Sequence, residues 1–550
     1  MERRLPTKKK IILDSSLASS LDSRYLRLVL SLFIVAFGAP SLSWGLSMAT
    51  AAFGYALFWK SIQGFSRPFW LGTSWFAATQ LVQWSWVTST HYMGPLIIVA
   101  YLLYCLLLGF QFGALTLFAR PPYRWLQVGA LSGGWALLEW GRLFFLSGCF
   151  VWNPIGLSLA ANDYSIQLAS AVGMFGLCFW VVMTNLALLK SVRIGFFLAI
   201  FPYLFGFCHQ KYFEFQSHSK KQISVALVQT ALKPEQRDLT LGNKSSHIAP
   251  LEQWRRILSA LQKSGQDHFD LIILPEGALP HGARRLVYPL VQSEAMKSEF
   301  GLSSDALKNI APYGQGSYVT NSYWLQSLAN HYQSEVIVGL EDDHNGAVYN
   351  SAFHFLPFTN QIGRYQKQIL MPIGEYIPFT FLASFFSDHF GIRSSFASGN
   401  ATQIFEGNQS IGISICIEEI YGEMIRKSRL KGADLLVNIT NDVWFPDSRL
   451  TWQHFDHGRV RAAENGAYLL RACNTGVTAV VDCFGHAEKI LPISENGSSV
   501  LAVDVSIHSH GTFYTFWGDL PILLLSGGLG LIFLLRAFWK KKLLRIGVVN

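Results

Sequence analysis

Charged side chains are scarce in this sequence. Only 14% of its 550 residues are Asp, Glu, Lys or Arg, against about 25% in an ordinary soluble chain, so a single water-soluble domain does not fit. Cysteine is scarce as well: seven in all, four of them (Cys105, Cys149, Cys178 and Cys208) inside apolar stretches, which speaks against a disulfide scaffold. Neither an internal repeat nor a low-complexity tract is present. The net charge of +9 invites a nucleic-acid reading, but that requires a basic face, and the Lys and Arg residues are distributed in another way.

What the chain has in abundance is apolar length. Half of its residues are hydrophobic, and between Tyr25 and Cys208 they gather into runs of roughly 15 to 25 residues, close to the ~20 that cross a bilayer. Seven such runs are Tyr25 to Ala39, Leu42 to Trp59, Pro68 to Val87, Pro95 to Phe118, Trp125 to Cys149, Ile166 to Leu189 and Ile194 to Cys208; an eighth covers Phe516 to Phe538. Lys and Arg collect on the cytoplasmic side of such runs. Arg3, Arg4, Lys8, Lys9, Lys10 and Arg24 precede the first, and Lys60 with Arg67, Arg120 with Arg124 and Lys190 with Arg193 mark every second loop. The loops around Pro40, His91 and Asn153 to Tyr164 hold neither residue. Seven crossings therefore leave Lys211 outside, and the eighth returns Arg536, Lys540, Lys541, Lys542 and Arg545 to the inside. Much of the basic excess is orientation signal, which removes the case for nucleic acid. Asp14 and Asp22 near the N-terminus argue against a cleaved signal peptide.

Within the fifth run Glu139 and Arg142 share a helical face, roughly 20 to 27 Å from its inner end at 1.5 Å per residue. Ionisable residues at that depth are candidates for function, with a mutually satisfied structural pair as the alternative.

Residues 221 to 510 return to ordinary charge density. Ile223 to Val228, Leu271 to Leu274, Val336 to Leu340, Tyr349 to Phe355, Ile411 to Ile415, Leu435 to Ile439 and Val477 to Val481 read as strands. Leu251 to Leu261, Glu419 to Leu430 and Gln453 to Leu469 read as helices. Arg284 to Trp324 is the least regular stretch and reads as a surface insertion. Three strand ends carry polar groups: Glu276 after Leu-Ile-Ile-Leu-Pro, Lys367 with Glu375 in one segment, and Cys416 with Glu418 and Glu419 directly behind it. Sites of alpha/beta sheets collect at such edges. A thiol opening a helix is expected to have a lowered pKa. Each residue alone has an ordinary explanation as a cap, a surface lysine or a packed thiol. Together they supply the nucleophile, base and oxyanion partner that acyl transfer through a thioester requires. His454 and His457 have partial metal spacing without the rest of a ligand shell, so neither a metal nor another cofactor is expected. Cys473 and Cys483 flank a turn out of register for a disulfide.

The order Glu276, Lys367, Cys416, with Gly363-Arg364-Tyr365-x-Lys367 and Gly374-Glu375-Tyr376-x-Pro378, resembles the carbon-nitrogen hydrolase (nitrilase) superfamily. Leu274-Pro275-Glu276, Pro372-x-Gly374-Glu375, Asn441-Asp442-x-Trp444-Phe445 and Arg471-x-x-Asn474-x-Gly476-Val477-Thr478, on the seven-plus-one membrane arrangement, resemble the bacterial apolipoprotein N-acyltransferases. The likeness takes in Glu139-Trp140-x-Arg142 and Trp152.

That resemblance implies a polytopic α-helical bundle carrying an extracytoplasmic α-β-β-α sandwich. The parts are a cytoplasmic tail (1–24), seven helices (25–210), the catalytic domain (221–510), and an eighth helix with a basic cytoplasmic tail (511–550). The implied reaction moves a phospholipid acyl chain to the N-terminal amine of diacylglyceryl-cysteine apolipoproteins, at the bacterial inner membrane with the domain in the periplasm, by a monomer. Its roles fall on Cys416 as nucleophile, Glu276 as general base, Lys367 as oxyanion partner and Glu375 as orienting carboxylate. Glu418 follows as a further functional carboxylate, and Trp444, Glu139 and Arg142 as supporting or substrate residues. Two departures stand out: Ile417 replaces the usual aromatic after the cysteine, and a tryptophan expected soon after the first strand is missing, with Arg237 or Asp238 nearby. The apolar segment Phe379 to Phe386 reads as an arm that dips into lipid. The alternatives are a membrane-anchored amidase or nitrilase using the same triad, and a receptor whose outer domain only binds.

Overall fold

The computed structural model describes residues 11–145, 151–216, 221–237, 247–302, 314–372, 374–377, 396–494 and 496–545. The apolar arm 379–386 and Asp238 lie outside them. The N-terminal part is helical: α1 (Ile11–Ala36), α2 (Trp44–Ala49), α3 (Tyr55–Ser61), α4 (Pro68–Gln83), α5 (Leu96–Phe118), α6 (Trp125–Gly141), α7 (Ala169–Lys190) and α8 (Val192–Gln216). Among the described residues four helical stretches are long and apolar enough to cross a membrane: Leu96–Phe118, Ser165–Lys190, Val192–Gln216 and Leu520–Lys540. The span expected from Ile194 to Cys208 is longer, because Gln210 to Gln216 continues the helix as a polar extension. The fifth run is shorter as a helix, since α6 ends at Gly141 and Arg142–Phe144 tightens into a 3₁₀ turn.

Buried polar side chains repair the backbone where these helices depart from ideal geometry. A π-helical turn, Thr50–Gly54, joins α2 to α3. Asn185 of α7 serves it, accepting from the Ala56 N–H at 2.9 Å and donating to the Ala51 carbonyl at 2.9 Å. Close helix contact needs small residues. A Cβ on Gly109 would lie 2.5 Å from the Thr73 carbonyl oxygen, which is why α4 and α5 can pack so tightly.

Residues 221–507 form two six-stranded sheets. The first contains β1 (Lys221–Gln229), β2 (Leu271–Ile273), β3 (Glu335–His344), β4 (Ala347–Phe355) and β5 (Ile362–Gln366). The second contains β6 (Ile404–Glu406), β7 (Ser410–Ile415), β8 (Leu435–Thr440), β9 (Leu469–Cys473), β10 (Thr478–Val481) and β11 (Ala487–Leu491). The last strand, β12 (Ser499–Ile507), returns to the first sheet, giving the orders β12-β1-β2-β3-β4-β5 and β11-β10-β9-β8-β7-β6. The alternation of β1 shows how the layers stack. Val225 and Leu227 face the second sheet, packing with Ile413, Ile415, Val437 and Leu470. Ala226 and Val228 face outward onto α9 (Pro250–Lys263) through Trp254, Ile257 and Leu258. Beyond α10 (Leu290–Glu299), α11 (Asn321–Tyr332) completes that layer with Trp324 and Leu328. The far side of the second sheet carries α12 (Gly422–Leu430) and α13 (Leu450–Asn465) through Ile425, Phe455 and Ala462. The result is the four-layer α-β-β-α sandwich.

Two expectations need correction. The helix read as Gln453 to Leu469 ends at Asn465, because Gly466 takes a left-handed conformation (φ +55°) and caps it. The following Leu-Leu-Arg-Ala-Cys is the inner strand β9. The stretch from Arg284 to Trp324 is not a surface insertion throughout: Tyr288, Val319 and Trp324 are buried in the core under the first sheet.

The sandwich rests on loops of the helical part through α13. Arg459 donates to the Ala160 carbonyl at 3.0 Å and lies 2.8 Å from Asp163, and Trp86 Nε1 donates to Gln453 Oε1 at 2.8 Å. The chain then re-enters the helical part through α14 (Phe513–Trp517) and α15 (Leu520–Arg545).

Candidate active site

Glu276 emerges where β2 gives out. Its loop is clasped by β3: Leu274 N–H donates to the Ile337 carbonyl, Gly339 N–H to Pro275 and Gly277 N–H to Gly339. Gly339 has to be glycine, since a Cβ there would lie 2.6 Å from Glu276 Cα. Lys367 follows β5 and is buried, its backbone N–H bonded to the Asn350 carbonyl at 2.9 Å. Its Nζ reaches Glu276 at 3.1 Å and Glu375 at 2.9 Å. Asn350, from β4, donates through one Nδ2 to both carboxylates, at 2.6 and 2.7 Å. Glu375 is held in turn by Met371 N–H at 2.7 Å.

Cys416 opens a five-residue 3₁₀ turn at the end of β7, half-buried and with φ +52°. Glu418, two residues on, accepts from the N–H groups of Ile415 (2.8 Å), Gln368 (2.6 Å) and Ile369 (3.1 Å) and from the Tyr365 hydroxyl (3.0 Å). It therefore binds the lysine segment to the cysteine turn. Burial pushes its carboxyl up to about 7.

The electrostatics overturn one expectation. Burial and the Glu276 carboxylate drive the Cys416 thiol well above its ordinary value, with Lys367 opposing and Asp442 and Glu375 adding to the rise. A short 3₁₀ turn supplies too little dipole to offset those carboxylates, so the thiol is not lowered. It rests neutral and needs a base to activate it. The Glu276 carboxyl is raised by burial, Lys367 counteracts and Glu375 raises it further. For Lys367 burial works downward, but Glu276 and Glu375 together hold the ammonium well above its usual range.

The other candidates lie elsewhere. Glu139 and Arg142 form their own pair at 2.9 Å inside the helical part, where Glu139 also accepts from Trp135 Nε1 and Ile155 N–H. Trp444 is exposed and packs edge-on against Tyr92, with ring centroids 5.8 Å apart. His454 and His457 face α13's neighbours rather than each other's ligands. Among the described residues no three His, Cys, Asp or Glu side chains gather so as to hold a metal ion. Cys473 and Cys483 are not joined by a disulfide. Asn350 escaped the sequence reading; its one signal is an amide at a buried position of an otherwise apolar strand, Tyr-Asn-Ser-Ala-Phe.

Residues 224–505 match the family model of carbon-nitrogen hydrolases, and residues 31–187 match that of the apolipoprotein N-acyltransferase N-terminal domain. An apolipoprotein N-acyltransferase of Chlamydia caviae is 31% identical across 94% of this chain and 99% of its own. The chain belongs to the apolipoprotein N-acyltransferases. Another bearing that name, from Shewanella oneidensis, is 31% identical over 73% of this chain and 72% of its own. Among solved structures, a CN-hydrolase superfamily protein from Xanthomonas campestris covers 55% of this chain and 97% of its own, at 18% identity and a TM-score of 0.34. Of the two departures, one lies at the junction of sandwich and helices and the other beside the Glu276 loop. Ile417 is fully buried in a cluster with Trp86, Trp152 and Leu450. Arg237 is paired with Glu341 beside the Glu276 loop.

Proposed function

We propose that the chain transfers a fatty acyl chain from a membrane phospholipid, through a thioester on Cys416, to the N-terminal amine of diacylglyceryl-cysteine apolipoproteins. The observation that carries the reading is one buried lysine shared by Glu276 and Glu375 in a chain matching apolipoprotein N-acyltransferases nearly end to end. Glu276 takes the Cys416 proton as sulfur attacks the ester carbonyl, and Lys367 donates to the oxygen that becomes negative. Collapse breaks the carbon-oxygen bond, and the lysophospholipid leaves with the proton from Glu276. The free amine then attacks the thioester carbon and gives a proton to Glu276, which returns it to the departing sulfur.

The same reading assigns eight membrane crossings, with both termini cytoplasmic and residues 221–510 on the periplasmic face of the inner membrane. It takes the protein as a monomer acting on lipid and lipoprotein. Extracting an acyl chain costs about 0.8 kcal/mol per CH₂, so a site seated on the outer leaflet has an advantage over a soluble one. Mass spectrometry of the purified protein incubated with phospholipid tests it. The expected product is an acyl thioester on Cys416 that persists alone and discharges onto a diacylglyceryl-cysteine peptide with a free amine. Prompt release of free fatty acid without peptide would make the protein a hydrolase.

A further inference from the structure

Behind Cys416 lies a second buried network that the chemistry above does not use. A left-handed backbone at a non-glycine residue is strained and persists only where its surroundings enforce it. The Cys416 carbonyl oxygen is held at 3.2 Å by His454 Nε2 and at 3.4 Å by Asn438 Nδ2. His454 is fully buried, and its Nδ1 lies 2.8 Å from Asp442 Oδ1. Asp442 is anchored by Arg471 at 3.5 Å, which also meets Glu419 at 3.1 Å. A carbonyl oxygen only accepts, so the ring nitrogen that serves it, Nε2, is the donor.

The histidine is fixed from its other side by the membrane-associated part of the chain. The Trp152 indole stands edge-on to the His454 ring at 5.0 Å. Gln453 Nε2 and His457 Nε2 contact the Trp152 carbonyl at 3.1 and 2.9 Å, and Trp86 holds Gln453. The clamp on the nucleophile's backbone is therefore braced by the loops Ser85–Thr88 and Trp152 onward.

We propose that His454 is a positioning residue: it fixes the strained Cys416 turn from behind and, through Trp152, ties the nucleophile's geometry to the helical bundle. The inference rests on Cys416 being the nucleophile. A displaced nucleophile loses rate rather than affinity, on the order of a hundredfold for 1 Å.

The test uses the full-length protein in detergent micelles, with phospholipid donor and diacylglyceryl-cysteine peptide, and variants His454→Leu, His454→Gln and Cys416→Ala. Thermal unfolding is recorded for each. His454→Leu is expected to lower kcat about a hundredfold with KM within about twofold of wild type. His454→Gln keeps one N–H for the Cys416 carbonyl and is expected to recover about tenfold of that loss. Wild-type kcat in His454→Leu overturns the inference, as does a Gln variant no better than Leu when both unfold like wild type. If the Leu variant does not fold, the Gln variant decides: kcat reduced at unchanged KM supports the role, and wild-type kcat overturns it. Turnover by Cys416→Ala removes the nucleophile reading and this inference with it. A dead Cys416→Ala beside an unaffected His454→Leu removes this inference alone.

Discussion

Glu139 and Glu276 are both buried carboxylates that face a cation, and their settings differ in kind. In the helical part Glu139 meets one guanidinium, Arg142, and its further donors are an indole and a backbone N–H. In the sandwich Glu276 shares its only cation, Lys367, with a second carboxylate, and Asn350 bridges both. One charge of each sign makes a brace. Burial raises the Glu276 carboxyl against the opposing pull of Lys367, with Glu375 adding to the rise, and burial together with Glu276 raises the Cys416 thiol. A buried ion pair is thus weak grounds for a site, whereas an unbalanced cluster at a nucleophile is strong grounds.

The sharpest way to break that contrast is to neutralise each side. Glu276→Gln removes the base at almost constant shape and is expected to lower turnover by about 10² to 10⁴ while the protein folds. Lys367→Met is expected to do the same per folded molecule, and to lose stability because two buried carboxylates are left facing each other. Acylation of Cys416, followed by mass spectrometry, should fail in both. Wild-type acylation kinetics in either variant would take that residue out of the chemistry.

Arg142→Met tests the other side. Removing one partner of a buried pair costs roughly 3 to 5 kcal/mol, so the yield of folded protein and the thermal midpoint should fall. Turnover per folded molecule should drop less than about tenfold, because the pair braces α6 against Ile155 and is separate from the Lys367 cluster. A much larger drop with normal folding would move Arg142 into substrate handling.

How much of this was legible before the structure depended on whether meaning was local. Seven strands, and three polar groups at strand ends, could be read from short apolar runs rich in β-branched residues. Strand β9 could not, because Leu-Leu-Arg-Ala-Cys continues the helical spacing of α13, and only Gly466 marks the stop. The spacing of Glu276, Lys367 and Glu375 could be seen, but Asn350 and His454 are single polar residues inside regular elements, and Asp442 sits in the loop after β8. Their importance arises only when strands distant in sequence converge. The direction of the Cys416 shift was misjudged for the same reason. A rule about helix ends sees the neighbouring turn, and the carboxylates that outweigh it come from β2, β8 and the segment after β5.

Glu418 offers the smallest effect and sharpens the contrast most. It is a third buried carboxylate, met mainly by backbone N–H groups and the Tyr365 hydroxyl, with no cation in direct contact among the described ion pairs. Its carboxyl is raised from 4.5 to about 7, chiefly by burial. A carboxyl raised on folding binds its proton more tightly in the native state, so stability present below pH ~4.5 is lost as pH rises through about 7. On the scale of 1.36 kcal/mol per unit the loss is on the order of 3 kcal/mol. Asp456 and Glu464, raised to about 6 and about 8, act in the same direction, so the wild-type profile alone does not isolate Glu418. Glu418→Gln mimics the neutral form at every pH. Subtracting its unfolding free energy from that of wild type, by denaturant titration in detergent between pH 4.5 and 8, should give a difference that falls with pH by that amount. Parallel profiles would show that the backbone N–H groups fully compensate the burial.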